Sequence, residues 1–379
     1  MVGGLDLDEV EQGIKGDAVR HYFFGGAGNE VTLRKNRVDW DEVALVPRVL
    51  RDVSQVDLSV ELFGKRVPVP VVVAPMAYLS MIHPRAETVL AQSAARFGLS
   101  FCLSTRSAVP LEEVAMAWAE TLSAQSYAGA ARPLLLLQLY VMRDRRISSS
   151  ILERAVAAGF DALVVTVDVP YVGVRRKDRA NRLRIPDEFL EANVAEELEM
   201  GAEDERPVSF GGGVSSAKHW RLGQDPAIGW QDIVVLRDSA APLPVVLKGI
   251  LDPADLELAA LGGFAGIVVS NHGGRQLDGA LSTPRSLHSM RAQREEFSGS
   301  IVVDGSIESG SDVCRALGIG ANGVMVGRLF ARALLEGGAH GLDTAMELLM
   351  AEVGISAGLM GLSRLGEMGW SQVRVPSWW

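Results

Sequence analysis

The stretch Ser270–Asp278 holds the residues best suited to chemistry. It reads SNHGGRQLD and places an imidazole, His272, three residues before a guanidinium, Arg275. The two glycines between them allow the backbone to turn tightly. A proton acceptor beside a fixed anion clamp suits proton removal from a substrate that carries a carboxylate. In isolation the same residues are equally compatible with a glycine turn and two surface side chains, so the surrounding chain must decide.

The apolar pattern predicts the elements that position this stretch. Eight short runs, rich in Val, Ile or Leu, recur along the chain: Val67–Ala74, Leu99–Leu103, Leu134–Leu139, Ala162–Val167, Pro244–Leu247, Gly266–Val269, Ile301–Val303 and Gly323–Val326. Amphipathic stretches of helical length separate most of them: Arg85–Phe97, Ser148–Ala158, Pro253–Leu261 and Gly310–Leu317. Continuous apolar strands indicate a parallel sheet covered by helices. Eight strand–helix units predict an α/β fold, a closed (β/α)8 barrel of the TIM type.

Polar, ionisable or glycine residues follow every predicted strand. The strand ends are Pro75-Met76-Ala77, Ser104-Thr105-Arg106, Gln138-Leu139-Tyr140, Asp168, Lys248-Gly249, Ser270-Asn271-His272, Asp304-Gly305 and Gly327-Arg328. Barrel active sites are built at this edge. Asp, Lys, His and Arg at four of the ends therefore indicate an active site rather than a purely structural barrel.

The remaining segments frame the barrel. We predict an N-terminal extension over 1–66, helical over residues 5–36 and irregular or hairpin-like from 43 to 65. The barrel is predicted over 67–363 and a C-terminal tail over 364–379. The long insertion after the fourth strand predicts a mobile lid over about 183–229, a passive tail being the alternative. A second insertion, 118–132, has no assigned function.

Composition excludes several classes of partner. The 379 residues include 48% hydrophobic residues and 40 glycines, which suits one large barrel domain. A net charge of −10 argues against nucleic acid or an anionic membrane as partner. Two cysteines give no disulfide framework, and the histidines show no metal-ligand spacing. With neither a signal peptide nor a membrane span visible, we expect a cytoplasmic protein.

Taken together, the strand-end motifs resemble the FMN-dependent 2-hydroxy acid oxidase and dehydrogenase family, which includes glycolate, lactate and mandelate oxidases. The motifs that recur in the family's order are Ala74-Pro75-Met76-Ala77, Gln138-Leu139-Tyr140, Thr166-Val167-Asp168, Leu247-Lys248-Gly249 and Ser270–Asp278. The resemblance covers the chain from Tyr22 to about Leu362. It implies an enzyme that binds FMN across the barrel mouth and oxidises an (S)-2-hydroxy acid to the 2-oxo acid.

The resemblance also implies how FMN is held. Lys248 would face the flavin N1–C2=O edge, where reduction builds negative charge. The flavin ring would contact the backbone after the first strand and polar side chains of the next three strands, and the phosphate would lie at the seventh and eighth strand ends. The implied FMN contacts are Pro75, Met76, Ala77, Ser104, Gln138, Thr166, Lys248, Ser270, Asp304, Gly305, Ser306, Gly327 and Arg328.

By the same resemblance, His272 is the base that removes a proton from the substrate while two electrons pass to flavin N5, as hydride or through a carbanion. Asp168 would orient His272 and stabilise the imidazolium. The other implied substrate contacts are Arg275 and Arg175, which would clamp the carboxylate, Tyr22, which would donate to it, and Tyr140, which would donate to the oxygen being oxidised.

Three positions depart from the family pattern. The family has another glycine after the seventh-strand Asp-Gly and then a phosphate-binding arginine, where this chain has Ser306 and Glu308. The Glu308 carboxylate would repel the FMN phosphate unless it turns away or another cation compensates. Arg106 replaces a residue that is aromatic in short-chain oxidases; it either meets a second polar group of the substrate or points to solvent. With Tyr78, an aromatic similar to one in hydroxymandelate oxidases, it indicates a bulky, mandelate-like substrate.

The sequence thus predicts a 2-hydroxy acid oxidase that uses O2 as its default acceptor, because no haem domain is present, and that forms a homotetramer by family resemblance. One alternative is a flavin monooxygenase that decarboxylates its product. Another is a degenerate barrel that binds flavin or a phosphorylated ligand without oxidising hydroxy acids. A non-flavin aldolase or isomerase would use a strand-end lysine but would not require the His272–Arg275 spacing.

Overall fold

The structure, a computed structural model, describes residues 16–125, 131–181, 185, 189, 192–194, 208–210, 213–215, 223–294 and 296–379. Ahead of the barrel lie helices α1 (Asp17–Phe24) and α2 (Val31–Asp41), strand β1 (Ala44–Leu45) and the hairpin of β2 (Val60–Leu62) and β3 (Lys65–Val67). The helical stretch predicted over 5–36 is therefore two helices in its described part, because a glycine-rich turn at 25–28 interrupts it. Gly28 has a φ of +56° there. Of the segment predicted as irregular or hairpin-like from 43 to 65, only the end belongs to this hairpin, which continues to Val67.

Eight parallel strands close into a barrel, which confirms the predicted (β/α)8 fold. In chain order the following strands are β4 (Val71–Val73), β5 (Ser100–Ser104), β6 (Leu135–Leu139), β7 (Ala162–Thr166), the antiparallel pair β8 (Val208–Phe210) and β9 (Gly213–Ser215) outside the barrel, then β10 (Val245–Ile250), β11 (Gly266–Val269), β12 (Ser300–Val303) and β13 (Gly323–Val326). The barrel closes between β13 and β4, where Val324 pairs with Val71. The predicted run Val67–Ala74 divides into β3 and β4 because Pro68 and Pro70 lack backbone donors.

Helices cover the outside of the barrel. They are α3 (Ala86–Phe97), α4 (Leu111–Ser123), α5 (Arg145–Ala157), α6 (Arg176–Asn181), α7 (Trp230–Ser239), α8 (Pro253–Leu261), α9 (Thr283–Ser289), α10 (Gly310–Ile319) and α11 (Arg328–Leu359), the last kinked at Gly338. Strand β14 (Val373–Arg374) then pairs antiparallel with β1, so the tail returns to the N-terminal extension. None of the helices in the described residues is long and apolar enough to cross a membrane.

The barrel strands alternate between two apolar layers. In β6, Leu135 and Leu137 point outward into the layer between sheet and helices, while Leu136 points into the barrel interior. The interior cluster comprises Leu62, Phe63, Val67, Val72, Ala74, Cys102, Leu134, Leu136, Ala162, Val164, Val246, Val268, Val302 and Met325. Leu62, Phe63 and Val67 come from the β2–β3 hairpin, which therefore packs against the barrel interior.

Most of the predicted lid segment lies outside the described residues. Within it, Asn193 is buried and accepts a hydrogen bond from the backbone N–H of Leu111 at 2.8 Å, at the start of α4. Its amide also donates to the carbonyls of Ser107 and Val109, both at 3.3 Å. This part of the segment is thus fixed to the loop before α4. The insertion 118–132 is the end of α4 followed by residues 126–130, which lie outside the described chain.

Candidate active site

One end of the barrel interior is polar, and strand periodicity explains why. In a strand, the side chain two residues after an inward-facing one also points inward. The inward-facing series of each strand therefore continues into the strand end. The residues at this level are Ala74, Ser104, Gln138, Thr166, Lys248, Ser270, Asp304 and Gly327. A cleft of about 390 Å³ opens above them. Six of the eight strand ends therefore place a polar side chain at this one level, next to the cleft.

The cleft gathers most of the predicted site residues. Those that line it are Tyr22, Pro75, Met76, Ala77, Ser104, Gln138, Tyr140, Thr166, Arg175, Lys248, His272, Arg275, Asp304, Gly305, Ser306, Gly327 and Arg328. Four predicted residues do not line it: Asp168, Ser270, Tyr78 and Arg106. Asp168 and Ser270 lie behind the lining, bonded to His272 and Lys248. Tyr78 lies beside Tyr22, with 6.3 Å between ring centroids, and its backbone N–H donates to the carbonyl of Arg106.

At one end of the cleft, His272 pairs with Asp168. The His272 Nδ1 atom lies 3.0 Å from Oδ1 and 3.2 Å from Oδ2 of the carboxylate. Burial alone would raise the pKa of Asp168, but the charges of His272 and Lys248 outweigh it and hold that pKa below its ordinary value. An ionised carboxylate only accepts hydrogen bonds, so Nδ1 carries the proton and Nε2 carries the lone pair. This tautomer makes Nε2 a proton acceptor.

The protonation state of His272 matches that geometry. Burial lowers the pKa of His272 below its ordinary value, and Lys248 and Arg275 act in the same direction, while Asp168 opposes them. The imidazole is therefore neutral near pH 7 and can take a proton. Its backbone has a φ of +59°, in the left-handed region, and its N–H donates to Ser270 Oγ at 3.0 Å.

Lys248 belongs to a buried charge network at the floor of the cleft. Its Nζ lies 2.8 Å from Ser270 Oγ and 3.0 Å from Asp304 Oδ2, and Ser270 Oγ donates to the same carboxylate at 2.8 Å. Burial alone would lower the pKa of Lys248, but Asp304 and Asp168 outweigh it and raise that pKa. The lysine is therefore a fixed positive charge below the cleft.

Two guanidinium groups flank Tyr22 at the same end. The guanidinium carbon of Arg275 lies 5.0 Å from the Tyr22 ring centroid, and that of Arg175 lies 5.8 Å from it. Arg275 donates to the backbone carbonyls of Tyr22 and Gly25, and no carboxylate in the described chain lies within 4.0 Å of it. Burial, and then repulsion by Arg175, lower the pKa of Arg275. A bound anion would relieve this uncompensated charge.

We call this region the histidine end of the cleft: Tyr22, Tyr140, Arg175, His272 and Arg275. Tyr140 is half-buried, and the loss of solvation followed by the charge of Asp168 raises its pKa to about 12. The phenol therefore keeps its proton and can donate a hydrogen bond at neutral pH. The histidine end thus combines one proton acceptor, two phenol side chains and two cations.

Polar atoms without partners point to a planar ligand in the middle of the cleft. Gln138 Oε1 accepts from Ser104 Oγ at 3.1 Å, while Gln138 Nε2 is buried and has no hydrogen-bond partner among the described residues. Asp304 Oδ1 likewise is buried and has no partner among the described residues, and the same is true of Arg175 Nε at the histidine end. Buried polar groups are rarely left unsatisfied, so a ligand with both acceptors and donors fits this space. The isoalloxazine ring of FMN carries such groups along its edge.

The opposite end of the cleft lies beside the N-terminus of α11, and we call it the helix end: Gly305, Ser306, Glu308, Gly327, Arg328 and Arg332. Arg328 is held by the backbone carbonyls of Phe23 at 3.2 Å, Gly25 at 3.0 Å and Gly273 at 2.8 Å. At Gly305, where φ is +90°, a Cβ would lie 2.9 Å from both Asn36 Nδ2 and Thr283 Oγ1. Only glycine fits there.

Sequence reasoning missed the contribution of the N-terminal extension. Phe23, Phe24, Leu33 and Arg37 also line the cleft, as does Arg332 of α11. The sequence held one signal of this contribution at Asp278, the last residue of Ser270–Asp278, which we call the central motif. Asp278 accepts from the backbone N–H groups of Asn29 at 2.8 Å and Thr32 at 3.0 Å, so it caps the start of α2. The motif therefore holds α1 and α2, and with them Tyr22, over the barrel mouth.

Sequence comparison places these features in a known family. Residues 14–375 match the FMN-dependent dehydrogenase family. The chain is 37% identical over 364 residues to a 4-hydroxymandelate oxidase of Amycolatopsis orientalis, covering 95% of each chain. It is also 36% identical over 348 residues to an L-lactate oxidase of Nostoc sp., covering 92% of this chain and 91% of the relative.

Solved structures agree. A mandelate oxidase with (S)-4-hydroxymandelic acid superposes with a TM-score of 0.80 at 35% identity, covering 97% of each chain. A mandelate oxidase variant with an FMN adduct also gives a TM-score of 0.80, at 33% identity, covering 98% of this chain and 99% of the other. The match spans the barrel and the polar strand ends alike. This chain therefore belongs to the FMN-dependent dehydrogenase family and is an FMN-dependent enzyme that oxidises 2-hydroxy acids.

Proposed function

We propose that this enzyme oxidises a bulky, mandelate-like (S)-2-hydroxy acid to the 2-oxo acid, with His272 as the base. The observation that carries the proposal is the 3.0 Å contact between His272 Nδ1 and Asp168 Oδ1. It leaves Nε2 unprotonated at the histidine end, which is also where the two guanidinium groups lie. A hydroxy acid bound there would bring its carboxylate and its reacting carbon to the groups that each requires.

Binding the substrate carboxylate is the task of Arg275 and Arg175. A guanidinium presents two parallel N–H donors that match the two oxygens of a carboxylate. The Nε atom of Arg175 is buried without a partner in the described chain and is therefore available as a donor. Tyr22 lies between the two arginines and would add a third donor.

Proton transfer is the task of His272 Nε2. It would take a proton from the substrate, and Asp168 would stabilise the imidazolium that results. Tyr140 would donate a hydrogen bond to the substrate oxygen, because its raised pKa keeps the phenol protonated. When bound, FMN accepts the two electrons that leave the substrate.

The lining residues fit FMN. Lys248 would place its fixed positive charge at the flavin edge, where reduction makes the ring more negative, and Gln138 Nε2 would find an acceptor on the ring. Ser104, Thr166, Ser270 and Asp304 would support these contacts. The backbone at Pro75, Met76 and Ala77 would pack along the ring, and Gly305, Ser306, Gly327 and Arg328 would meet the phosphate.

A bulky substrate is favoured by the aromatic side chains around the histidine end. Tyr78 lies next to Tyr22 and close to the backbone of Arg106, at the margin of the cleft. An aromatic ring on the substrate would pack against Tyr78, and Arg106 would bind a polar substituent of that ring. The relatives include both hydroxymandelate and lactate enzymes at similar identity, so the choice rests on these side chains.

The test is the visible spectrum of the purified protein, followed by anaerobic addition of (S)-mandelate, (S)-4-hydroxymandelate and L-lactate. We expect yellow protein that bleaches faster with the mandelates than with lactate. Admission of air should restore the colour and yield H2O2, since we propose O2 as the acceptor. Faster bleaching with lactate would contradict the substrate class. Benzoate rather than benzoylformate as the product of mandelate would favour oxidative decarboxylation, and protein that never bleaches would indicate a degenerate site.

We also propose, from the family resemblance, that the enzyme is a cytoplasmic homotetramer. Light scattering of the purified protein at micromolar concentration measures the mass of the assembly directly. A mass of four chains supports this assembly, and a monomer would contradict it.

A further inference from the structure

Two arginines one helical turn apart face the helix end of the cleft. Arg328 and Arg332 occupy positions i and i+4 of α11, so their side chains emerge on the same face of the helix. Both line the cleft. The spacing places a second cation beside Arg328 at the helix N-terminus, where backbone N–H groups also point outward.

The two arginines differ in the number of hydrogen bonds that their side chains already make. Arg328 is half-buried and donates to three backbone carbonyls, two in the N-terminal extension and one in Ser270–Asp278. Arg332 is exposed, and its guanidinium carbon lies 5.3 Å from the centroid of the Phe24 ring. No carboxylate in the described part of the chain lies within 4.0 Å of either guanidinium. Arg332 therefore has hydrogen-bond donors to offer a ligand in the cleft.

The other charged side chains near the helix end do not favour the binding of an anion. Glu308 lines the cleft, is exposed, and forms no ion pair with any described residue. Arg37 also lines the cleft, but its guanidinium is neutralised by Asp312 at 2.8 Å and Asp41 at 2.6 Å. The Glu308 backbone N–H is bonded to the same Asp312. Of the cations at the helix end, Arg332 is thus the one with neither a carboxylate nor a backbone carbonyl within bonding distance in the described chain.

We infer that Arg332 is a phosphate-binding residue of this enzyme, which together with Arg328 holds the FMN phosphate, while Glu308 weakens that binding. The inference rests on the FMN dependence of the family and goes beyond it, because it concerns which side chains of this chain meet the phosphate. An arginine at 332 offsets the carboxylate at 308, so the helix end keeps a net positive charge. A phosphate carries about two negative charges near pH 7, so each side-chain charge matters.

The test measures the contribution of the phosphate to flavin binding separately from that of the ring and the ribityl chain. FMN and riboflavin share the isoalloxazine ring and ribityl chain, and only FMN carries the phosphate. Flavin is removed from the holoenzyme, and the apoprotein is titrated with each ligand while flavin fluorescence is followed. We expect the wild-type protein to bind FMN more tightly than riboflavin.

Substitution of Arg332 should affect only FMN. In Arg332→Gln we expect the Kd for FMN to rise about tenfold, as for the loss of one charge-assisted hydrogen bond, and the Kd for riboflavin to stay unchanged. Arg20→Gln is the matched control, because Arg20 is an exposed arginine that pairs with Glu336 outside the cleft. An unchanged FMN Kd in Arg332→Gln would overturn the assignment, and so would an equal loss of riboflavin binding.

Substitution of Glu308 should act in the opposite direction. Glu308→Gln is expected to lower the FMN Kd about threefold and to leave riboflavin binding unchanged. Glu308→Arg in the Arg332→Gln background should restore FMN binding, since it returns a cation to the same end. Glu336→Gln, on α11 but outside the cleft, is the control. An FMN Kd that rises in Glu308→Gln would show that the carboxylate assists FMN binding and would overturn this half of the inference.

Discussion

The histidine end of the cleft fixes its charges by burial, whereas the helix end leaves part of its charge exposed. His272 is bonded to the largely buried carboxylate of Asp168, and Arg275 is held by backbone carbonyls; below them, at the floor of the cleft, Lys248 pairs with buried Asp304. At the helix end, Arg332 and Glu308 are both exposed and carry opposite charges. At the histidine end, bonded neighbours fix the positions of the charged side chains. At the helix end, the net charge depends on a balance between two exposed side chains of opposite sign.

The difference fits the roles that we propose for the two ends. Proton transfer requires the acceptor close to the proton that it removes, and buried partners supply that precision. Phosphate binding requires mainly net positive charge and backbone donors, which tolerate exchange of individual side chains. Departures from the family pattern are therefore easier to accommodate at the helix end. Four experiments test this contrast.

The largest effect is expected from His272→Asn. Removal of the proposed base should slow anaerobic bleaching of the flavin by about 10³-fold. The Kd for FMN should stay within twofold, because we expect the two ends to act independently. Stopped-flow absorbance and fluorescence titration measure the two quantities. His288→Asn is the matched control, since His288 stacks on Trp370 outside the cleft. Rapid bleaching in His272→Asn would assign the base to another residue.

Asp168→Asn should lower kcat/KM by about 100-fold and should also shift its pH dependence. In the wild type, the burial that lowers the pKa of His272 keeps the base neutral, so kcat/KM should fall only below about pH 6.5. Asp168 opposes that shift, so its removal lowers the pKa of His272 further and moves the acid limb to lower pH. Asp343→Asn, on the protein surface, is the control. An acid limb that moves to higher pH would contradict this electrostatic role.

A smaller effect is expected from salt, which should weaken ligand binding at the helix end more than at the histidine end. Raising KCl from about 0.05 to 0.5 M should increase the Kd for FMN about fivefold, because exposed charges are screened within a few ångströms. The KM for the hydroxy acid should change less than about twofold, since Arg275 is half-buried and held by backbone carbonyls. Riboflavin titration is the control for general salt effects. A KM that depends on salt as strongly as the FMN Kd would remove the contrast.

The smallest effect concerns the backbone at the helix end. Ser306 has a φ of +58°, which a side chain disfavours and glycine accepts. Ser306→Gly should raise the free energy of unfolding of the apoprotein by about 0.5–1 kcal/mol, measured by urea denaturation. Ser309→Gly is the matched control, because Ser309 caps α10 and has a φ of −146°. Glycine at this position should lower the free energy of unfolding by a few tenths of a kcal/mol. A loss of stability in Ser306→Gly would show that the side chain makes a compensating contact.

Much of the fold was predictable because strand periodicity is a local property. The runs Leu134–Leu139 and Gly266–Val269 are too short for helices and apolar on both faces, which is characteristic of a parallel sheet buried on both sides. The same periodicity carries Gln138 and Lys248 to the inward level of the strand end. Parallel strands present their carboxyl ends at one edge, so those residues had to meet in one place.

The N-terminal extension was less predictable because its contacts join residues far apart in sequence. The approach of Phe24 to Arg332 depends on how α1 lies against α11. The pairing of Arg37 with Asp312 spans 275 residues, and no pattern near either residue indicates it. The exposed position of Arg332 likewise depends on the direction of α11 at the barrel mouth.

By itself, the sequence determined the number of barrel strands, the polar ends that form the site and the presence of a carboxylate at 308. These are properties of residue type and short-range spacing, which chain folding does not alter. Only the tertiary structure decided the distances from Asp168 to His272 and from Tyr22 to Arg275 and Arg175. It also decided that, among the described residues, Arg332 is the cation of the helix end with neither a carboxylate nor a carbonyl partner. Each of these depends on distances between elements, and those are set by barrel closure and by the packing of the N-terminal extension.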